Sequence, residues 1–341
     1  MKKRRFSCKY CGSLSTKRNG QRKLKKGFVE CFYCFSCKKY FSTRLQPRTQ
    51  IGFREKVEIT RRHLEGRTSI RTIARHTGRS KTTVSKVITE VTNQCASAAW
   101  VARNFRPQWS GYLALDGKMI RIWDWAAKHF RYTREEKRWL HKMSLLLALD
   151  LGTLDIPDHH LGSDETAIDL IMFLQSLKNL GYPLKGYISD GNEDITRTVE
   201  RVFGRVPHQL CIRHYLENLK DKLWRKEIAK FQYEDACQSL LQGVKPKYLK
   251  VPNDLFTYRE VKQLPSANQQ IENLNRYLML RLKTIGQFQS FQSAKNYCNA
   301  LTLMRRFTAF TDCRDKTKNH KAPLLIAGCD VEELDYLTLG K

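Results

Sequence analysis

Three carboxylates and a cluster of cysteines are the residues of this chain whose types and spacing point to chemistry. Asp116 closes the apolar run Tyr112-Leu113-Ala114-Leu115, and Asp190 closes the run from Leu184 to Ser189, just ahead of Gly191. A carboxylate at the end of an apolar strand sits on the rim of a sheet, where α/β folds place their ligands. Glu272 opens the helical stretch Asn268-Gln269-Gln270-Ile271-Glu272-Asn273-Leu274-Asn275-Arg276, which can bring a third acid beside the first two. Carboxylates gathered in this way clamp divalent cations. Two such ions, roughly 3.5–4 Å apart, serve phosphodiester cleavage, one activating the attacking oxygen and the other steadying the leaving oxygen. Taken singly, each acid is weak evidence. A strand-end Asp is more often a turn former, a Glu in a polar helix is usually just solvated, and Asp150, Asp155 and Glu165 are also available. Spacing alone does not choose among them.

The cysteines are more specific. Five of the 11 fall between residues 8 and 37, as Cys8-Lys9-Tyr10-Cys11 and Cys34-Phe35-Ser36-Cys37 with Cys31 just before the second pair. Zinc takes four soft ligands at tetrahedral corners, and each C-x-x-C knuckle supplies two from one tight turn. Cys31/Cys34 is a rival second pair; Cys34/Cys37 is preferred because its flanking run, Phe32 to Phe41, is similar to the second knuckle of zinc ribbons. Phe28, Phe32, Tyr40 and Phe41 are candidates to pack around the metal. A further pair, Cys211 and His214 in Gln209-Leu210-Cys211-Ile212-Arg213-His214, could form half of a metal site, but no second pair lies nearby. From the chemistry alone it reads as a buried thiol and a capping imidazole.

Composition narrows the partners. The 341 residues carry 62 Lys plus Arg against 33 Asp plus Glu, a net charge of +29. Residues 1–50 alone hold 15 basic residues and one acid, Glu30. Such an excess calls for a polyanion, because each neutralised phosphate releases counterions. No apolar run approaches the roughly 18 residues a membrane span needs, and no apolar segment follows the basic start, so the expectation is a chain without a signal peptide that remains in the cell.

The elements that position these residues can be read from periodicity and turn signals. Residues 1–45 form the cysteine module and residues 50–95 a helical one. Within the latter, Ile70 to Val87 fits two helices joined by a turn, with Ala74 at the crossing, Gly78 in the turn, Ser80 as cap, and Val84 and Val87 facing inward. Arg79, Ser80, Lys81, Thr82, Thr83, Ser85 and Lys86 then face a groove or phosphates. From residue 110 to about 330 the pattern is strand, strand, helix, strand: the runs ending at Asp116, Asp150 and Asp190, with a helix over 167–180 whose apolar positions are Ile168, Ile171, Met172, Leu174, Leu177 and Leu180. This predicts an α/β sheet with crossovers. Residues 216 to about 262 are polar and helix-prone, with Trp224, Phe231 and Tyr233 as packing points.

Taken together, Asp116, the run Ile188-Ser189-Asp190-Gly191, the C-x-x-H segment and Asn268 through Glu272 to Asn275 resemble the DDE transposases of bacterial insertion sequences and of eukaryotic Mutator-like elements. The two N-terminal modules and the tail Ala322-Pro323-Leu324-Leu325-Ile326-Ala327-Gly328 are similar to theirs as well. Cys31 and the Gly117-Lys118 that follows the first Asp depart from the pattern. The resemblance implies an RNase H-like catalytic core with a helical insertion, preceded by a zinc ribbon and a helix-turn-helix. It implies Mg2+ or Mn2+ on Asp116, Asp190 and Glu272, Zn2+ on Cys8, Cys11, Cys34 and Cys37, and His214 facing the active site. It further implies double-stranded DNA, both element ends and target, as partner, a homodimer or larger assembly on that DNA, and a prokaryotic cytoplasm with association to the nucleoid. The rival reading is a zinc and helix-turn-helix regulator whose sheet domain is inactive, and a nuclease that cuts without joining would share the same acids.

Overall fold

In the computed structural model, the residues described are 6–8, 10–24, 27–42, 51–121, 142–162, 167–285, 288 and 290–339. They fall into two compact units, 1–55 and 56–341. Glu165, one of the alternative acids, lies outside the described residues.

The first unit is a small antiparallel sheet of β1 (Thr16–Leu24), β2 (Gly27–Cys34) and β3 (Tyr40–Ser42), in the order β1-β2-β3. Its core consists of Cys8, Phe32, Cys34 and Phe41, with Phe6 and Cys37 against them. Phe32 stacks on Phe41 at 5.6 Å between ring centroids. Phe28 and Tyr40, expected to join this packing, are exposed. So small a core is well below what usually holds a domain of this size without a metal or disulfides.

The second unit begins with α1 (Phe53–Leu64), α2 (Ile70–His76), α3 (Lys81–Thr92) and α4 (Ala98–Phe105). Caps define the starts of three of them: Ser69, Ser80 and Ser97 accept the backbone N–H groups of Thr72, Thr83 and Trp100. Between α2 and α3 the chain turns at Gly78, whose φ of +64° suits glycine. Ala74, Val84 and Val87 are buried, as the pattern predicts.

These helices do not stand apart from the rest of the unit. α3 packs on α11 (Phe291–Phe307), where Asn299 Nδ2 donates to Ala96 O at 3.0 Å. Arg281 Nε reaches Leu64 O at 3.1 Å, and the Tyr336 hydroxyl donates to Glu65 at 2.9 Å. The helical segment expected over 50–95 therefore shares one unit with the sheet.

The central sheet contains β4 (Tyr112–Arg121), β5 (Lys142–Asp150), β6 (His159–Gly162), β7 (Gly186–Ser189) and β8 (His208–Leu210), ordered β6-β5-β4-β7-β8. β4, β5 and β6 pair antiparallel, whereas β7 and β8 run parallel beside β4. One face packs on α5 (Ala167–Asn179) and α6 (Glu193–Phe203) through Leu113, Leu115, Tyr187, Phe173, Leu174 and Val199. α5 buries Leu170, Phe173, Leu174 and Leu177, while Ile168 and Met172 are exposed. The apolar residues of that helix run around most of its circumference, so periodicity misplaced the inward stripe. α10 (Gln269–Ile285) crosses β4 and β5.

Between β8 and α10 lie α7 (Ile212–Trp224), α8 (Lys230–Leu241) and α9 (Thr257–Glu260). Ile212, Leu240, Leu255 and Phe256 bind this segment together. Trp224 and Phe231, expected as packing points, are exposed. The last helix is α12 (Pro323–Ile326). Among the described residues no helix is long and apolar enough to cross a membrane.

A buried ion pair ties α11 to the loop between β5 and β6. Arg306 Nε and Nη2 each donate to Asp155 at 2.8 Å, with both side chains almost wholly buried, and Trp109 Nε1 donates to the same carboxylate at 2.9 Å. Removing one partner strands the other charge. Asp155→Ala is expected to lower the unfolding free energy by about 3–5 kcal/mol, whereas replacing Asp155 and Arg306 together with Leu recovers most of that loss. Chemical denaturation of the two variants checks this.

Candidate functional site

Asp116 does not end its strand. β4 continues to Arg121, because β5 pairs with it along the whole length, Asp116 facing Leu147 and Arg121 facing Lys142. The run after Asp116 therefore stays extended despite Gly117. Asp190 does leave a strand: it follows β7, which pairs with β4 through Ala114 and Ile188. Asp116 and Asp190 each lie two residues beyond that pair, and the charge of Asp190 acts on the Asp116 carboxyl.

The turn after Asp190 requires glycine. Gly191 has φ +93°, and a Cβ there would lie 2.5 Å from Leu210 Cδ1. Asp190 Oδ1 accepts the Asn192 N–H at 3.1 Å, and Asn192 in turn caps α6.

α10 brings in the third acid. Asn275 Nδ2 donates to Asp116 Oδ2, and Asn268 Nδ2 reaches Leu115 O at 3.4 Å. Glu272, between those asparagines, meets Arg213 Nη1 at 2.9 Å and His214 Nε2 at 3.7 Å. Cys211 lies beneath, fully buried at the start of α7; it donates its N–H to Ser189 O, and its sulfur accepts the Asn268 N–H. The C-x-x-H segment thus touches the turn carrying Asp190 and the helix carrying Glu272. The sequence offered Asn268 and Asn275 only as motif flanks and gave no role to Arg213.

The electrostatics follow from this crowding. Burial, with the charge of Asp190 added, pushes the Asp116 carboxyl up to about 6, against the Gly117 N–H that favours the carboxylate. Its folded value lies above the unfolded one, so its contribution to stability is present at low pH and is lost as pH rises through about 6. His214 is raised to about 9, first by Cys211, against burial, and then by the charges of Asp190 and Glu272. For Cys211, burial works against ionisation, but hydrogen bonding with His214 and the Asn268 N–H outweighs it and lowers the thiol.

Two other acids considered from the sequence serve the fold. Asp155 is held by Arg306 and Trp109. Asp150 is fully buried and accepts from Ser110, Gly111, Thr153 and the Tyr182 hydroxyl. Neither offers a free oxygen pair to a ligand.

Ser189, His208 and Asp254 form an arrangement that superficially suggests a nucleophile. Ser189 Oγ lies 2.9 Å from His208 Nε2, and His208 Nδ1 lies 3.1 Å from Asp254 Oδ2. Ser189 is fully buried, however, and its Oγ also receives the Gly191 N–H. The chain of bonds braces the turn that presents Asp190.

The cysteines form the tightest candidate ligand set. The sulfurs of Cys8, Cys11, Cys34 and Cys37 all lie within 4.8 Å of one another, with Cys8 to Cys37 and Cys11 to Cys34 at 3.6 Å. A tetrahedral zinc with Zn–S bonds of about 2.3 Å places its sulfurs about 3.8 Å apart, so the set is suited to a metal such as zinc. Cys31, paired across the sheet with Ser42, is not part of the set. The backbone N–H of Cys37 holds the Cys34 thiol down at about 6, ready to ligate. The oxygens of Asp116, Asp190 and Glu272 do not draw together as closely as these sulfurs. Still, Glu272 Oε1 and Asn275 Oδ1 are buried there without a hydrogen-bond partner.

On the outer side of α3, Lys81, Thr82, Ser85 and Lys86 are exposed along a shallow concavity, with Ser80 and Thr83 engaged in the helix cap and Arg79 just ahead of it.

No protein-family model matches the chain, and no curated protein matches it.

The purified chain is expected to hold about one zinc. Cys11→Ser or Cys37→Ser should release it and unfold the N-terminal unit, while Cys31→Ser keeps it. Elemental analysis of the three variants decides the ligand set.

Proposed function

We propose that the chain is a DNA transposase with an RNase H-like core, which binds the ends of its own element, cleaves them with the help of divalent metal and joins them to target DNA. What supports this reading is that Asp190 follows the strand parallel to β4 and its charge raises Asp116, while Glu272 belongs to the helix whose Asn275 donates to Asp116. The sheet order, three antiparallel strands followed by two parallel ones, and the helical segment between Asp190 and Glu272 support it.

The residues fit Mg2+ or Mn2+. Carboxylate oxygens are the ligands hard cations prefer, Glu272 Oε1 has no hydrogen-bond partner, and burial penalises the ionisation of Asp116. Asp116, Asp190 and Glu272 would hold the ions, which supply charge to the attacking and leaving oxygens of an in-line displacement. Arg213 must give up Glu272 for this. It is half exposed and also contacts Glu217 at 3.3 Å, so it has a second carboxylate to turn to. Asn275 holds Asp116 in place, and His214, protonated at neutral pH, offers a donor to a DNA phosphate.

The cysteine unit acts as a zinc ribbon, and α2 and α3 as a helix-turn-helix. Lys81 and Lys86 contact phosphates, while Arg79, Ser80, Thr82 and Thr83 approach the groove. The charge of +29 suits both element ends and target DNA. Pairing two ends calls for at least a dimer, working in a prokaryotic cytoplasm at the nucleoid. The Arg213–Glu272 pair is the one feature that favours the rival, a DNA-binding regulator whose site is closed by its own cation.

Strand-transfer assays on pre-cleaved ends separate these readings. Asp116→Asn, Asp190→Asn and Glu272→Gln are each expected to abolish cleavage and joining while end binding persists. Loss of end binding in all three, or full activity in excess chelator, contradicts the proposal. Because protons compete for Asp116, Mn2+ affinity measured by calorimetry should hold above pH 6 and fall as pH drops below it.

A further inference from the structure

A cavity of about 800 Å³ lies beside the helix that carries Glu272. Its size is within the range of ligand sites. With α-helical spacing, Glu272 and Asn275 share one face of α10, and Gln270, Leu274, Tyr277 and Arg281 share the opposite face. The latter face lines this cavity. It is therefore separate from the carboxylates, across the width of one helix.

The wall alternates guanidinium groups and rings. Arg281 lies 3.6 Å from the centroid of Tyr277, and Arg305 lies 3.9 Å from that of Phe310 and 5.4 Å from that of Tyr277. Arg305 is only 9% exposed. Neither guanidinium has a carboxylate partner among the described residues. Arg305 Nη1 donates to Thr308 O at 2.8 Å, while Arg281 donates through Nε to Leu64 O and through Nη1 to Tyr277 O. Arg281 Nη2 and Arg305 Nε and Nη2 have no hydrogen-bond partner among the described residues.

Arg314 and Lys318 add two more cations to the lining. Of the acids there, Asp312 pairs with Lys316 at 3.0 Å, and Asp315 accepts the N–H and hydroxyl of Thr317 and lies near Lys318, whose Nζ donates to Gly152 O. Among these cations Arg305 is buried; burying a cation without an anion is costly, and a guanidinium does not shed its proton to escape that cost. Stacking on Tyr277 and Phe310 offsets only part of it. Leu149 and Leu154 give the same cavity an apolar side.

We propose that this cavity binds one nucleotide of an unstacked DNA strand, its phosphate on Arg281 and Arg305 and its base against the apolar side. This rests on the DNA reading above, and it gives the transposase a strand-holding subsite behind its catalytic helix.

Calorimetry on the full chain with dAMP, deoxyadenosine and inorganic phosphate tests it. We expect dAMP to bind at one site per chain and deoxyadenosine not to bind. Arg281→Gln, and the exposed Arg314→Glu, should weaken dAMP by about tenfold or more, since charge-assisted bonds to phosphate are lost. A duplex with a splayed, unpaired end should displace dAMP better than a fully paired one. The proposal is overturned if dAMP does not bind, if both variants bind it as the parent does with unchanged melting temperature, or if the splayed duplex does not compete. Asp116→Asn should leave dAMP binding unchanged, so failure of the catalytic reading and failure of this site are told apart.

Discussion

The bond from Asn275 to Asp116 fixes the geometry on which the rest of the site depends. It anchors α10 over β4 at Asp116, where the charge of Asp190 also acts. Asn268 repeats the hold at Leu115 O and also ties the helix start to Cys211. Glu272 lies between these two anchors, so its position is set by backbone and amide contacts. Burial first, and the charge of Asp190 second, raise the Asp116 carboxyl. The amide donor offsets some of this cost to ionisation and a divalent cation would offset the rest.

The chain has two candidate metal sites of opposite character. In the N-terminal unit the sulfurs stand almost at tetrahedral spacing, and the surrounding core is too small to hold them there unaided. Four thiolates leave no open position, which suits a structural ion. In the sheet unit the oxygens are more loosely disposed, one of them is borrowed by Arg213, and buried polar atoms lack partners.

Much of this was legible in the sequence. The cysteine spacing singled out the four-sulfur set, and the Ser80 cap, the turn glycine and the inward valines marked the helices around α3. The apolar runs marked β4, β5 and β7. What was hidden was mostly long-range. Asp116 looked like the end of its strand, and the β5 ladder carries the chain on, extended, through Gly117-Lys118. The helix over 167–179 is apolar on nearly every side, so its inward stripe could not be phased. Trp224 and Phe231 looked like core because aromatic residues usually are, yet the insertion packs through Ile212, Leu240, Leu255 and Phe256. Arg213 is adjacent to His214 in sequence, but its partnership with Glu272 spans 59 positions and no local pattern reports it.

The central claim is that Asp116, Asp190 and Glu272 share one divalent-metal site. Iron-directed cleavage tests it most directly: Fe2+ is bound in place of Mg2+, ascorbate and peroxide generate radicals at the ion, and the cut positions in the polypeptide are mapped. The account predicts cuts clustered near residues 116, 190 and 272, all suppressed together by excess Mg2+. Cuts confined to one of these segments, or cuts at all three that Mg2+ does not suppress, would contradict it.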